Sequence, residues 1–253
     1  VDSMAGFQSL WENGQVLGIR NFVDPSANFF WSINGSHGTS VLSIMGGYLP
    51  GEFKGAATRA GYWLIQTEDT QTEFRIEEAN WLAGAELADS AGVDVINSSL
   101  GYSDNFTVND QNYNYSDMDG KTALVTRAAT LAASKGMLVV TSAGNSGRPG
   151  DAWEYIIAPS DGDSILGVAA VDADGERAIF SSRGPSSDGR IKPDVAAQGQ
   201  ATVLIRTNGL VSTGNGTSFS SPVMAALATC LWQKHRDLTN YEIIKAIRRT
   251  ASQ

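Results

Sequence analysis

Three short stretches hold residue types that can do nucleophilic chemistry if the fold brings them together. They are Ser36-His37-Gly38-Thr39-Ser40-Val41, Thr141-Ser142-Ala143-Gly144-Asn145-Ser146-Gly147 and Gly214-Asn215-Gly216-Thr217-Ser218-Phe219-Ser220-Ser221-Pro222. A serine hydroxyl becomes a nucleophile when an adjacent imidazole takes its proton. A side-chain amide aimed at a developing oxyanion lowers the same barrier. Each stretch also has a plain structural reading. His37 alone reads as a satisfied structural histidine where a glycine turn meets an apolar run. Asn145, on a glycine turn after a strand, reads as turn chemistry. Ser218 reads as a helix N-cap, with Pro222 in the first turn. As a nucleophile, Ser218 would gain from the bare N–H groups and positive end of that helix. The frame is not G-x-S-x-G, because position 220 is serine. The other histidine, His235, lies between Lys234 and Arg236 at a helix end, where positive charge is favourable.

Positioning these residues takes alternating strands and helices. Apolar runs at Val93–Asn97, Met137–Thr141, Ser164–Ala169 and Thr202–Ile205 read as buried strands, and 61–66 as another. Helical periodicity covers roughly Ile76–Ala91, Thr122–Lys135, Ser218–His235 and Asn240–Thr250, with a short buried helix starting near His37. Gly92 and Gly136 sit between helix and strand, as C-caps do. This alternation predicts an α/β fold with a mostly parallel, doubly wound sheet covered on both faces. In such sheets ligands sit at the carboxyl ends of the strands. The loops after Ser98, Ser142 and Ile205 are therefore the expected functional edge.

The chain of 253 residues fits one large domain, residues 1–253. A net charge of −9 argues against nucleic acid and against anionic membrane surfaces. No run of eighteen apolar residues offers a transmembrane helix, and no signal peptide is visible. The single cysteine, Cys230, excludes an intrachain disulfide and reads as a packing residue. The polar stretch Ser103–Gly120 reads as a solvated loop. Its carboxylates could hold calcium, although their spacing fits no EF-hand, and no cofactor is otherwise indicated. Glu68, Asp69, Glu73, Glu77 and Glu78 read either as a solvated helix face or as an acidic wall. The acidic wall would favour basic substrate residues upstream of a cut.

In order and separation, S-H-G-T-x-V, S-A-G-N-S-G and N-G-T-S-F-S-S-P resemble the subtilisin-like serine proteases, the subtilases. Asn97-Ser98-Ser99-Leu100-Gly101 is similar to the strand lining their substrate cleft. The resemblance runs from about His37 to Thr250. It implies a three-layer subtilisin-like fold and endopeptidase activity on polypeptides, in an extracellular or periplasmic setting. It implies Ser218 as nucleophile, His37 as general base and then acid, and Asn145 as oxyanion donor. It puts Ser99, Leu100, Gly101, Ser142, Ala143 and Gly144 on the substrate cleft, with the first three pairing with an extended peptide.

The pattern departs from the family at the triad acid, which must orient the histidine. In subtilases that acid ends an apolar strand in a D-S/T-G or D-x-G turn. Here only Val1 precedes Asp2, and Met4 stands where glycine is expected. Asp24 is too near His37 and precedes Pro25. The expectation is that the acid and its strand lie upstream of residue 1, which would leave a gap or rearranged edge in the sheet. Should no acid be supplied, the alternative is a subtilase fold that binds peptides without cutting them. An acyl transferase or esterase using the same serine and histidine is a third option.

Overall fold

The computed structural model describes residues 1–26 and 36–251. The first elements are α1 (Gln8–Glu12), β1 (Val16–Asn21), α2 (Ser36–Gly46), β2 (Tyr48–Leu49), β3 (Phe53–Lys54) and β4 (Tyr62–Gln66). Next come α3 (Ile76–Ser90), β5 (Val95–Ser98), α4 (Leu124–Ser134), β6 (Leu138–Ser142) and β7 (Leu166–Val171). The chain continues through β8 (Val195–Gln198), β9 (Thr202–Ile205), β10 (Val211–Gly214), α5 (Thr217–Lys234) and α6 (Asn240–Thr250).

Strands β5-β6-β7-β8 form a parallel sheet in that order. All five residues of β6 are buried, as a central strand covered on both faces requires. Its side chains divide by parity. Leu138 and Val140 pack with Leu166, Val168, Met224, Ala228 and Ile243. Val139 packs on the other side with Trp81, Val125 and Ala129. Helices α5 and α6 therefore cover one face, and α3 and α4 the other. This is the three-layer α/β architecture expected from the alternation of elements.

The sheet is interrupted. Strands β1 and β4 pair in parallel with each other and form a separate two-stranded sheet. Helix α3 spans both units. Gly84 lies so close to β4 that a Cβ there would meet Ile65 at 3.1 Å. Trp81 Nε1 donates to Ser98 Oγ, at the end of β5, at 2.9 Å. Among the described residues no ladder joins β4 to β5.

Four sequence readings need correction. Strand β9 is not part of the parallel sheet; it pairs antiparallel with β10, so the loop after Ile205 is a hairpin turn. Its apolar side chains pack against α2 instead, where Ile205 N–H donates to Ser43 Oγ at 2.9 Å. Cys230 is exposed, not a buried packing residue, and its Sγ donates to Ala56 O at 3.5 Å. The 103–120 segment is not simply solvated: Phe106, Tyr113 and Met118 bury their side chains and anchor it. Finally, Glu77 and Glu78 are buried, at 1% and 0% exposure, so the acidic stretch is not a solvated helix face.

Candidate active site

Helix α5 is capped by Gly216, whose φ of 151° suits glycine, so Ser218 is the second helical residue and not the cap. Pro222 lies in the second turn, one turn later than its position in the sequence suggested. This shift matters. Proline has no N–H, so the carbonyl four residues earlier, that of Ser218, loses its helical partner. The Ser99 hydroxyl supplies one instead, donating to Ser218 O at 2.8 Å. In return, Ser218 Oγ donates to Ser99 O at 3.3 Å. Nearby, Ser221 Oγ donates to Asn97 Oδ1 at 2.8 Å, and Asn97 Nδ2 donates to Ser99 Oγ at 3.1 Å. The end of β5 and the start of α5 are thus locked together.

Asn145 reaches the same place from the turn after β6. Its Oδ1 accepts from Thr217 N at 2.8 Å and from Thr217 Oγ1 at 3.1 Å. Thr217 Oγ1 also accepts from Gly144 N at 3.2 Å. Gly144 has φ +111°, and a Cβ there would meet Ser182 Oγ at 2.7 Å, so both backbone and space call for glycine. With Oδ1 held, Nδ2 is the free end of the amide. Among the described residues it donates to no protein acceptor. Thr217 is a positioning residue that sequence reasoning missed. Its only signal was a hydroxyl directly before Ser218.

His37 is the second residue of α2 and is open to solvent. Its ring lies 6.1 Å, centroid to centroid, from that of Phe219, the residue after Ser218. Among the described residues its imidazole makes no hydrogen bond. Partial desolvation by the surrounding fold lowers its pKa below the usual 6.5. Asp2 is not bonded to it. The Asp2 carboxylate accepts from Ser3 N at 2.9 Å and lies 3.8 Å from the chain's own ammonium. Asp24 closes a turn, accepting from Ser26 N at 2.9 Å.

The remaining cleft residues divide in two. Among the described residues the backbone groups of Leu100 and Gly101 make no hydrogen bond, which leaves a short edge open to an extended chain. Ala143 and Gly144 have carbonyls already taken by Ile157 N at 3.2 Å and Ser182 N at 3.0 Å. Ser142 is inside the ladder with β7. The acidic wall is also reduced. Glu78 is enclosed, accepting from Tyr113 Oη and Val125 N, each at 2.9 Å. Two of the carboxylates suggested for calcium in the 103–120 segment serve the backbone: Asp119 accepts from Lys121 N and Thr122 N, and Asp117 from Asn114 N, all at 2.8 Å.

A family profile described as the subtilase family matches residues 27–253, nearly the whole chain. The chain belongs to the subtilase family. Subtilisin E of Bacillus subtilis is 29% identical over 255 residues, covering 98% of this chain and 58% of that protein. Subtilisin DY of Bacillus licheniformis is 32% identical over 171 residues, covering 68% of this chain and 54% of its own length. The chain thus spans little more than half the length of these subtilases. The protease domain of PatA superposes with a TM-score of 0.75 at 21% identity, over 100% of this chain and 84% of that one. A cold-adapted subtilisin-like serine proteinase gives 0.74 at 20% identity, over 100% and 78%. These likenesses show a subtilase fold.

Proposed function

We propose that this chain carries the catalytic site of a serine endopeptidase that cuts polypeptides outside the cytoplasm. The observation that carries the reading is the amide of Asn145, fixed through its oxygen by Thr217 with Nδ2 unbonded beside the start of α5. An amide held at one end and free at the other is a preorganised donor for an oxyanion. The Ser218 hydroxyl turns from Ser99 O to His37, which takes its proton. Oγ attacks the peptide carbonyl, and the oxyanion receives Asn145 Nδ2 and Ser218 N–H. His37 then protonates the leaving amine, and water clears the acyl-enzyme by the reverse route. The substrate pairs as an added strand along Ser99–Leu100–Gly101.

The acid behind His37 is, in this reading, supplied from upstream of Val1. Two observations support it: Asp2 is engaged locally, and the parallel sheet breaks between β4 and β5. The same unbonded imidazole favours a second reading, a peptide-binding subtilase fold without turnover. A fluorophosphonate probe read by peptide mass spectrometry separates them. It would be applied to this chain and to one extended by about 20–40 native upstream residues, enough for a strand and its loop. Labelling of Ser218 that appears or strengthens in the longer chain supports the endopeptidase. No labelling of Ser218 in either chain selects the binding protein.

A further inference from the structure

Three acidic residues between the end of β4 and the first turn of α3 have no place in this mechanism. Carboxylate oxygens of Glu68, Glu73 and Glu77 all lie within 4.8 Å of one another. Ionised carboxylates only accept hydrogen bonds, so three of them converging this closely repel unless something positive sits between them. Glu77 sharpens the point. It is 1% exposed, Oε1 accepts from Asp69 N at 3.2 Å, and Oε2 has no partner. A buried acceptor left without a donor is costly. The cation at the N-cap of α3, Arg75, is committed elsewhere. Its guanidinium pairs with Glu78 and lies 3.7 Å from the Tyr113 ring centroid. A cavity of about 260 Å³, lined in part by Phe22, Asp69, Phe74 and Glu77, adjoins the cluster at Glu77.

We propose that Glu68, Glu73 and Glu77 bind a hard divalent cation, with Glu77 Oε2 as its innermost ligand. An all-oxygen, all-carboxylate set selects calcium or magnesium over softer metals. The spacing suits calcium, whose ligands at about 2.3–2.6 Å stand up to roughly 5 Å apart across the ion. The site reaches the substrate edge. Glu68 Oε1 accepts from Tyr102 Oη at 2.6 Å, and Tyr102 follows Gly101 in the chain. A bound cation would therefore brace the open Leu100–Gly101 edge against the β4–α3 connection. The inference stands whether or not Ser218 cuts peptides.

Calcium titration of the EDTA-stripped chain by calorimetry tests this, together with terbium emission sensitised through Tyr102. One calcium per chain is expected. Glu73→Gln and Glu77→Gln should each weaken binding about tenfold or more and dim the terbium signal, because affinity follows ligand charge. Glu176→Gln, at an exposed site, should bind like the parent. Glu73 is only half-buried, so its variant keeps the test valid if Glu77→Gln folds poorly. No binding up to about 10 mM calcium, beyond the weakest known protein modules, would overturn the proposal. So would binding that both variants leave intact. A Glu77→Gln chain that melts higher in EDTA, with no calcium response in the parent, would reveal a shared proton in place of a cation.

Discussion

At the scale of single residues, the site depends on how one amide is held. Asn145 offers Nδ2 because Thr217 occupies Oδ1 twice. In an active form of the protein, Asn145→Ala should lower kcat by about 10²–10³ with KM little changed, the scale set by subtilisin itself. Thr217→Val keeps the N–H donor and loses the hydroxyl. Its kcat should fall less than that of Asn145→Ala, again without a KM change, as steady-state kinetics would show. His37 gives a pH test. Its folded pKa is depressed, so the fold favours the neutral ring. The associated stability is present above the unfolded value of about 6.5 and is lost as pH falls below it. Proton NMR of this chain should show the His37 ring titrating below 6.5, and above that once a carboxylate is supplied to it. A His37 midpoint unchanged by upstream residues would remove the proposed acid.

At the scale of elements, helices were more legible than strand partnerships. Asn240–Thr250 matches the periodic stretch residue for residue, since the Thr239–Glu242 capping box marks its start. Thr239→Ala should cost about 0.5–2 kcal/mol in denaturant unfolding, as lost caps do. Strand β6 was legible because burial on both faces makes a continuous apolar run. Strand β9 has a similar run, yet its partner is β10. An apolar run reports that a strand is covered, and says nothing about which strand it joins. Strand β1 was invisible because it is only half-covered and contains Gly18 and Arg20. The site followed the same rule. Residues within each motif were readable, but Ser99 meets Ser218 across 119 positions, and only the fold reveals that contact.

At the scale of the whole molecule, one charge cluster ties β7 and α6 to the segment that leads into β8. Lys192, 5% exposed, donates to Asp194 Oδ2 and to Ile165 O, each at 2.8 Å. Asp194 also accepts from Gly167 N in β7 and pairs with Arg248 of α6. Asp194→Ala would leave a buried ammonium uncompensated, and should destabilise the chain by about 3–5 kcal/mol in equilibrium unfolding. A loss below 1 kcal/mol would mean that Lys192 is rehydrated or discharges.

The break between β4 and β5 has a consequence for exchange with solvent. In a parallel ladder successive amides of one strand point to opposite sides. Half of those in β5 therefore face β6, and the other half face the interruption. In deuterium oxide, the β6 amides should exchange only through global opening, while the outward half of β5 exchanges through small local fluctuations. Within one four-residue strand, fast and slow positions should alternate. A segment that enters the interruption and pairs there would abolish the alternation and slow every amide of β5 alike.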